Sequence, residues 1–198
     1  GDHSSPLGSM QAVNERNNSF GVLQIDAHAD LRPAYEGFTH SHASIMHNLL
    51  ELDQVEKLVQ LGIQDFCEQE ASVMKSDKRV VTFFDHELKK QAFEGVLWSS
   101  QVYQIIEELP DDIYITLDID GMEPYYCPGT GTPVPGGLSY SQLIYLLDRI
   151  AASGKRIIGF DICEVSGNQG EWDAIVGSRI LYYLSNITGI THKLLPLK

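Results

Sequence analysis

A chain of 198 residues, 43% hydrophobic and 21% charged, is long enough to bury a sizeable core as one domain spanning 1–198. Its formal charge of −13 argues against nucleic acid or an anionic membrane as partner, since both demand clustered Lys and Arg. No apolar run approaches the roughly 18 residues of a bilayer span and no basic-then-apolar leader opens the chain; three cysteines without metal-type spacing fit a reduced, cytoplasmic protein.

In chain order, Ser4 or Ser5 is placed to cap a helix with Pro6 in its first turn, running to about Asn17. Phe20 to Ile25 is apolar without strict alternation and short, the pattern of a buried strand. His42 to Leu52 reads as a helix, Val55 to Ile63 as partly strand, and Cys67 to Lys75 as a polar helix. Arg79 to Phe84 predicts a strand, Ser99 to Glu108 a helix and Ile113 to Ile119 a strand. Ser139 caps a helix over Tyr140 to Ala152, with Leu143, Leu146, Leu147 and Ile150 on one face. Arg156 to Ile162 is a further strand and Trp172 to Leu184 a final helix. Continuous apolar strands alternating with helices predict a three-layer α/β/α fold around a mostly parallel sheet.

In such sheets ligands bind beyond the carboxyl ends of the strands. Three of the predicted strands end in acidic or histidine clusters: Asp26-Ala27-His28-Ala29-Asp30, Asp118-Ile119-Asp120 and Asp161-Ile162-Cys163-Glu164. In extended backbone, residues two apart share a direction, so Asp26, His28 and Asp30 are expected to converge, as are Asp118 and Asp120. A lone acidic pair is often a solvated turn. Two clusters led by apolar runs are a different matter, because several carboxylates buried together need cations to offset repulsion and desolvation. Carboxylate and imidazole donors without thiolates suit Mn²⁺ ahead of Mg²⁺ or Zn²⁺.

Taken together these motifs resemble the ureohydrolases, the family of arginases, agmatinases and formimidoylglutamases, with agmatinase nearest. Gly1-Asp2-His3-Ser4 is similar to the end of their GGDHS motif, and Asp26–Asp30 to their DAHxD. Asp118–Pro124, Pro128–Pro133 and Gly136–Leu138 resemble the segment DxDxxDP…PGTGTP…GGL, and Asp161–Val165 resembles DxxEV. The resemblance implies two manganese ions per chain. His3, Asp26, Asp30 and Asp118 would hold one, and Asp26, His28, Asp118 and Asp120 the other. It implies hydrolysis of a linear guanidino compound, agmatine favoured, to an amine and urea by a hydroxide between the metals. Glu164 would bind the guanidinium, Asp30 would pass a proton to the leaving amine and His42 would exchange protons with bulk water, with Thr132 near the substrate. Trimers or hexamers are implied as well.

Simpler readings stand beside these. His3 is equally a terminal residue outside the motif, His42 has neighbours His40 and His47 as rivals, and Glu164 alone would pass for a surface carboxylate. Arg32 reads as a salt-bridge partner or as a group meeting a substrate carboxylate. Leu31–Ser41, rich in Pro33, Ala34, Tyr35 and Phe38, lacks the Ser/Asn-rich stretch of arginases, and Glu36 there would favour a cationic tail. Glu123 departs from the family's Asp. The roughly hundred residues that precede GGDHS in the family have no counterpart before Gly1, so N-terminal strands are expected to be missing and the natural polypeptide to extend upstream. Arginase, formimidoylglutamase and a non-catalytic metal-binding protein are the alternatives.

Overall fold

The computed structural model of the protein describes residues 1–167 and 171–196. Strands β1 (Phe20–Ile25), β2 (Val55–Ile63), β3 (Val80–Phe84), β4 (Asp112–Asp118) and β5 (Arg156–Cys163) form one sheet in the order β3-β2-β1-β4-β5. Every pairing is parallel, as strands without alternation require when both faces are covered. The helices are α1 (Leu7–Arg16), α2 (Ile45–Leu50), α3 (Glu68–Ser76), α4 (Asp85–Phe93), α5 (Trp98–Glu108), α6 (Tyr140–Ala152) and α7 (Glu171–Thr191).

The three layers follow from the side-chain parity of the strands. Leu23, Ile25, Leu61, Ile115 and Leu117 pack on one face with residues of α5, α6 and α7, including Ile105, Leu146 and Ile180. Val22, Leu58, Val80 and Tyr114 pack on the other face with Met10 of α1 and Ile45, Met46 and Leu49 of α2. Each fully buried aliphatic side chain contributes about 1.5–3 kcal/mol, so both faces are driven to be covered. Among the described residues no helix is long and apolar enough to cross a membrane.

Several elements differ from the sequence reading. Neither Ser4 nor Ser5 caps α1; Pro6 occupies the N-cap position without a side-chain bond. The segment from His42 splits into a 3₁₀ turn, His42–Ser44, and the short α2, while β2 is strand throughout. Helix α4 was not anticipated, and α7 runs on to Thr191. Ser139 does cap α6, in a reciprocal pair with Gln142: Gln142 N donates to Ser139 Oγ (3.2 Å) and Ser139 N donates to Gln142 Oε1 (2.9 Å).

The strand order reverses between β1 and β4. From β1 the chain moves outward to β2 and β3, then returns to lay β4 on the other side of β1. Connections leave these two neighbours in opposite directions, which opens a crevice at their carboxyl ends. The register also places Thr82, Gln60, Gln24, Thr116 and Asp161 side by side across all five strands.

Candidate metal centre

The crevice between β1 and β4 gathers His3, Asp26, His28, Asp30, Asp118 and Asp120. Asp26 follows β1 directly, and its Oδ1 accepts the His28 N–H at 2.7 Å. That turn bends the chain, so His28 and Asp30 converge on the site through a folded loop rather than an extended strand. Asp30 itself has φ 55°, a left-handed conformation that Asp tolerates better than most residues. Asp118 ends β4, and its Oδ1 accepts the Asp120 N–H at 3.0 Å. The 3₁₀ turn Ile119–Gly121 thus swings Asp120 inward, where the sequence reading expected straight backbone.

His3 comes from the start of the chain, fully buried. Its Nδ1 lies 3.1 Å from Asp26 Oδ2, 3.1 Å from Asp30 Oδ2 and 3.3 Å from Asp118 Oδ2. His28 Nδ1 lies 3.1 Å from Asp120 Oδ2 and 3.6 Å from Asp26 Oδ1. Two compact ligand groups result, His3–Asp26–Asp30 and Asp26–His28–Asp120. Asp26 belongs to both, one oxygen toward each. Asp118 stands beside the first group through His3 and is a member of neither three-residue set. No cysteine joins either group.

The tautomer of His3 tests whether a cation fits. Its Nε2 lies 2.9 Å from Thr116 Oγ1, and that hydroxyl donates its one proton to Asp161 Oδ1 at 2.9 Å. Nε2 must therefore be the N–H donor, as is usual when the other ring nitrogen binds metal. In the neutral ring Nδ1 then presents a lone pair to three carboxylate oxygens, and it makes no hydrogen bond of acceptable geometry with any of them. Only a cation or an added proton relieves that arrangement. Proton affinities carry the same message. Burial opposes charge on His28, yet Asp120 and Asp26 lift it to about 11, and burial with the Asp26 charge pushes Asp30 up to about 7. Burial would raise Asp26, but His28 and His3 hold it far below the usual carboxylate range.

Above the ligands lies a cleft of about 530 Å³, lined by Asp2, Arg32, Tyr35, His42, Asp65, Phe66, Thr132 and Glu164 among others. Glu164 sits at φ 59° just past β5. Three contacts fix it: its N–H donates to Gly1 O (2.8 Å), its Oε1 accepts the His3 N–H (2.7 Å), and its carbonyl accepts from Thr130 Oγ1 (2.9 Å). His42 stands at the rim, Nδ1 3.4 Å from Asp2 Oδ2 and its ring edge-on to Tyr35. Thr132 donates to Asp120 Oδ2 at 3.2 Å. Arg32 lines the cleft, but its Nε lies 3.5 Å from the buried Glu70, with the guanidinium over the Tyr35 ring. Arg32 thus pairs with Glu70 while lining the cleft. Glu36 lies on an exposed turn and does not line the cleft. Sequence reasoning missed Asp2, Asp65 and Glu70. Asp2 had a signal, its place beside His3; the others act only through folded proximity.

A family model described as "Arginase family" matches residues 1–185. The chain belongs to the arginase family. An N(1)-aminopropylagmatine ureohydrolase of Thermus thermophilus is 34% identical over 192 residues, covering 96% of this chain and 61% of that protein. Among solved structures, proclavaminate amidino hydrolase from Streptomyces clavuligerus superposes with TM-score 0.82 at 27% identity, over 97% of this chain and 63% of that one. A putative agmatinase from Clostridium difficile gives TM-score 0.81, also at 27% identity, over 98% and 67%. The chain thus spans about six-tenths of the length of such arginase-family relatives. Membership agrees with the ureohydrolase resemblance read from the motifs, and the parallel α/β architecture is the one these relatives share.

Proposed function

We propose that this protein hydrolyses a linear guanidino compound to urea and an amine, using two manganese ions held by His3, Asp26, Asp30 and Asp118 and by Asp26, His28, Asp118 and Asp120. The observation that carries the reading is the pair of ligand groups sharing Asp26 at the floor of an acidic cleft. Oxygen and imidazole donors without thiolate favour Mn²⁺. When bound, such a metal pair supplies a water activated near neutral pH.

The chain's own residues provide the rest. Glu164, with Oε1 already held by the His3 N–H, has Oε2 left to accept charge-assisted hydrogen bonds from a guanidinium. Asp30, which lines the cleft beside His3, is placed to pass a proton to the leaving amine. His42, its Nδ1 toward Asp2, keeps Nε2 free to exchange protons with solvent. Thr132 orients Asp120 through its hydroxyl, a supporting role beside the substrate contact expected of it.

A cationic tail is favoured over a carboxylate. Asp2, Asp65 and Glu164 line the cleft, whereas Arg32, the one arginine among the described lining residues, is matched by Glu70. Agmatine or its aminopropyl derivative fits that charge pattern. Urea release by the manganese-loaded protein from agmatine, aminopropylagmatine, arginine, guanidinobutyrate and formimidoylglutamate tests it. The two cationic amines are expected to give the highest kcat/KM. A preference for arginine or formimidoylglutamate that disappears in Arg32→Ala would assign Arg32 to a substrate carboxylate instead. Metal binding without turnover of any of them would make this a non-catalytic member of the fold. Cytoplasmic location and a trimeric or hexameric assembly complete the proposal.

A further inference from the structure

Beneath the ligands, one register row of the sheet is polar from one edge strand to the other, on the face otherwise built from Val22, Leu58, Val80 and Tyr114. Its β4–β5 end, Thr116 and Asp161, serves His3 as described. The remaining three residues form a connected chain of their own. Thr82 Oγ1 donates to Gln60 Oε1 at 2.9 Å. Gln60 Nε2 donates to Gln24 Oε1 at 2.7 Å and to Ala29 O at 2.8 Å. Gln24 Nε2 donates to Asp26 Oδ2 at 2.8 Å and to His28 O at 3.1 Å.

The direction of this chain is forced by its ends. Asp26 Oδ2, His28 O and Ala29 O only accept, so both amide NH₂ groups must face the site and both amide oxygens must face away. Gln24 and Gln60 are fully buried, where an unmatched amide costs about 1–3 kcal/mol. Neither amide can turn over alone. Were Gln24 to turn, its oxygen would confront the carboxylate that both ligand groups share.

We propose that Thr82, Gln60 and Gln24 form a one-way hydrogen-bond relay that positions Asp26, so that Gln60, which touches no candidate metal ligand side chain, sets the metal affinity of the centre. The proposal rests on the metal reading above. The amides also tie down the carbonyls of His28 and Ala29, which holds the loop presenting His28 and Asp30. Positioning residues of this kind typically change metal affinity by about 10–100-fold when removed.

The test is the Mn²⁺ dissociation constant of the full-length protein, by competition with a chelator, beside the unfolding midpoint of each metal-free variant. Gln60→Met keeps the volume and removes the amide; it is expected to weaken Mn²⁺ binding about tenfold or more. Gln60→Glu keeps the shape but puts a carboxylate oxygen against Gln24 Oε1, and is expected to weaken binding at least as much. Thr82→Val, at a half-buried edge position, is expected to fold normally and lose affinity by only a few-fold. Variants whose metal-free midpoint falls while the dissociation constant stays within about twofold of wild type would make the row merely structural and overturn the relay. Wild-type protein that binds no Mn²⁺ would overturn the metal centre itself, an outcome readily told apart from the first.

Discussion

Asp26 presents Oδ2 to His3 at 3.1 Å and Oδ1 to His28 at 3.6 Å, and its neighbours occupy the remaining positions around both oxygens. Removing both oxygens takes a ligand from each group at once, whereas Asp120 belongs to the His28 group alone. Asp26→Ala is therefore expected to lose both metals, and Asp120→Ala only one. Metal content by mass spectrometry, measured with urea release on the same preparations, separates the two. Equal stoichiometry in both variants would deny Asp26 its shared role. At this scale the sequence was a good guide to which residues meet, since parallel strands that end in acidic and histidine clusters deliver them to one edge of the sheet. It was a poor guide to how they meet. The Asx turn at Asp26 and the 3₁₀ turn after Asp118 depend on side chains bonding to nearby backbone, which a two-residue periodicity does not encode. Gln24 and Gln60 were hidden for a related reason: isolated polar residues inside apolar strands carry no pattern.

Among the elements, the strands were legible because burial on both faces leaves an unbroken apolar run. Helix α4 was not, since its sequence DHELKKQAF buries only Asp85 and Leu88 and starts without a side-chain cap. Its acidic first turn and Lys90 near the end suit the helix dipole, but such charges are common in loops. The end of α3 shows how a charge can instead brace a junction. Asp77 closes that helix, and Arg79 donates to its Oδ1 through Nε (3.1 Å) and to its Oδ2 through Nη2 (2.7 Å), while Nη1 reaches Leu50 O (2.9 Å) at the end of α2. These bonds hold the Asp77 carboxyl below its ordinary range. A depressed carboxyl contributes stability above the unfolded pKa of about 3.9 and loses it as pH falls through the folded value. Asp77→Asn should therefore lower the denaturation midpoint at pH 7, and the deficit should shrink as the pH drops below about 4. Solvent screening keeps the effect modest, and a deficit that does not change with pH would mean the charge is irrelevant.

For the whole molecule, the decisive feature is that the ligands are drawn from both halves of the chain. β1 and β4 are direct neighbours, yet two strands and four helices lie between them in sequence. Pairing them closes a long loop, and loop closure is a cost met before non-local contacts repay it. Asp26 and Asp120 do not share a neighbourhood until that closure is complete. A metal ion can recognise the site only once the chain has already committed to its topology. Metal should consequently act on the lifetime of the native state rather than on the speed of reaching it: interactions absent from the transition state slow unfolding and leave folding rates nearly unchanged. Refolding and unfolding followed by stopped-flow fluorescence, with and without saturating Mn²⁺, should show the unfolding limb shifted and the folding limb superimposed. Faster refolding in metal would place the β1–β4 junction in the folding nucleus instead. On this account a metal pair bound there would be a latch on the native state as much as the proposed reaction centre, closing last and opening first.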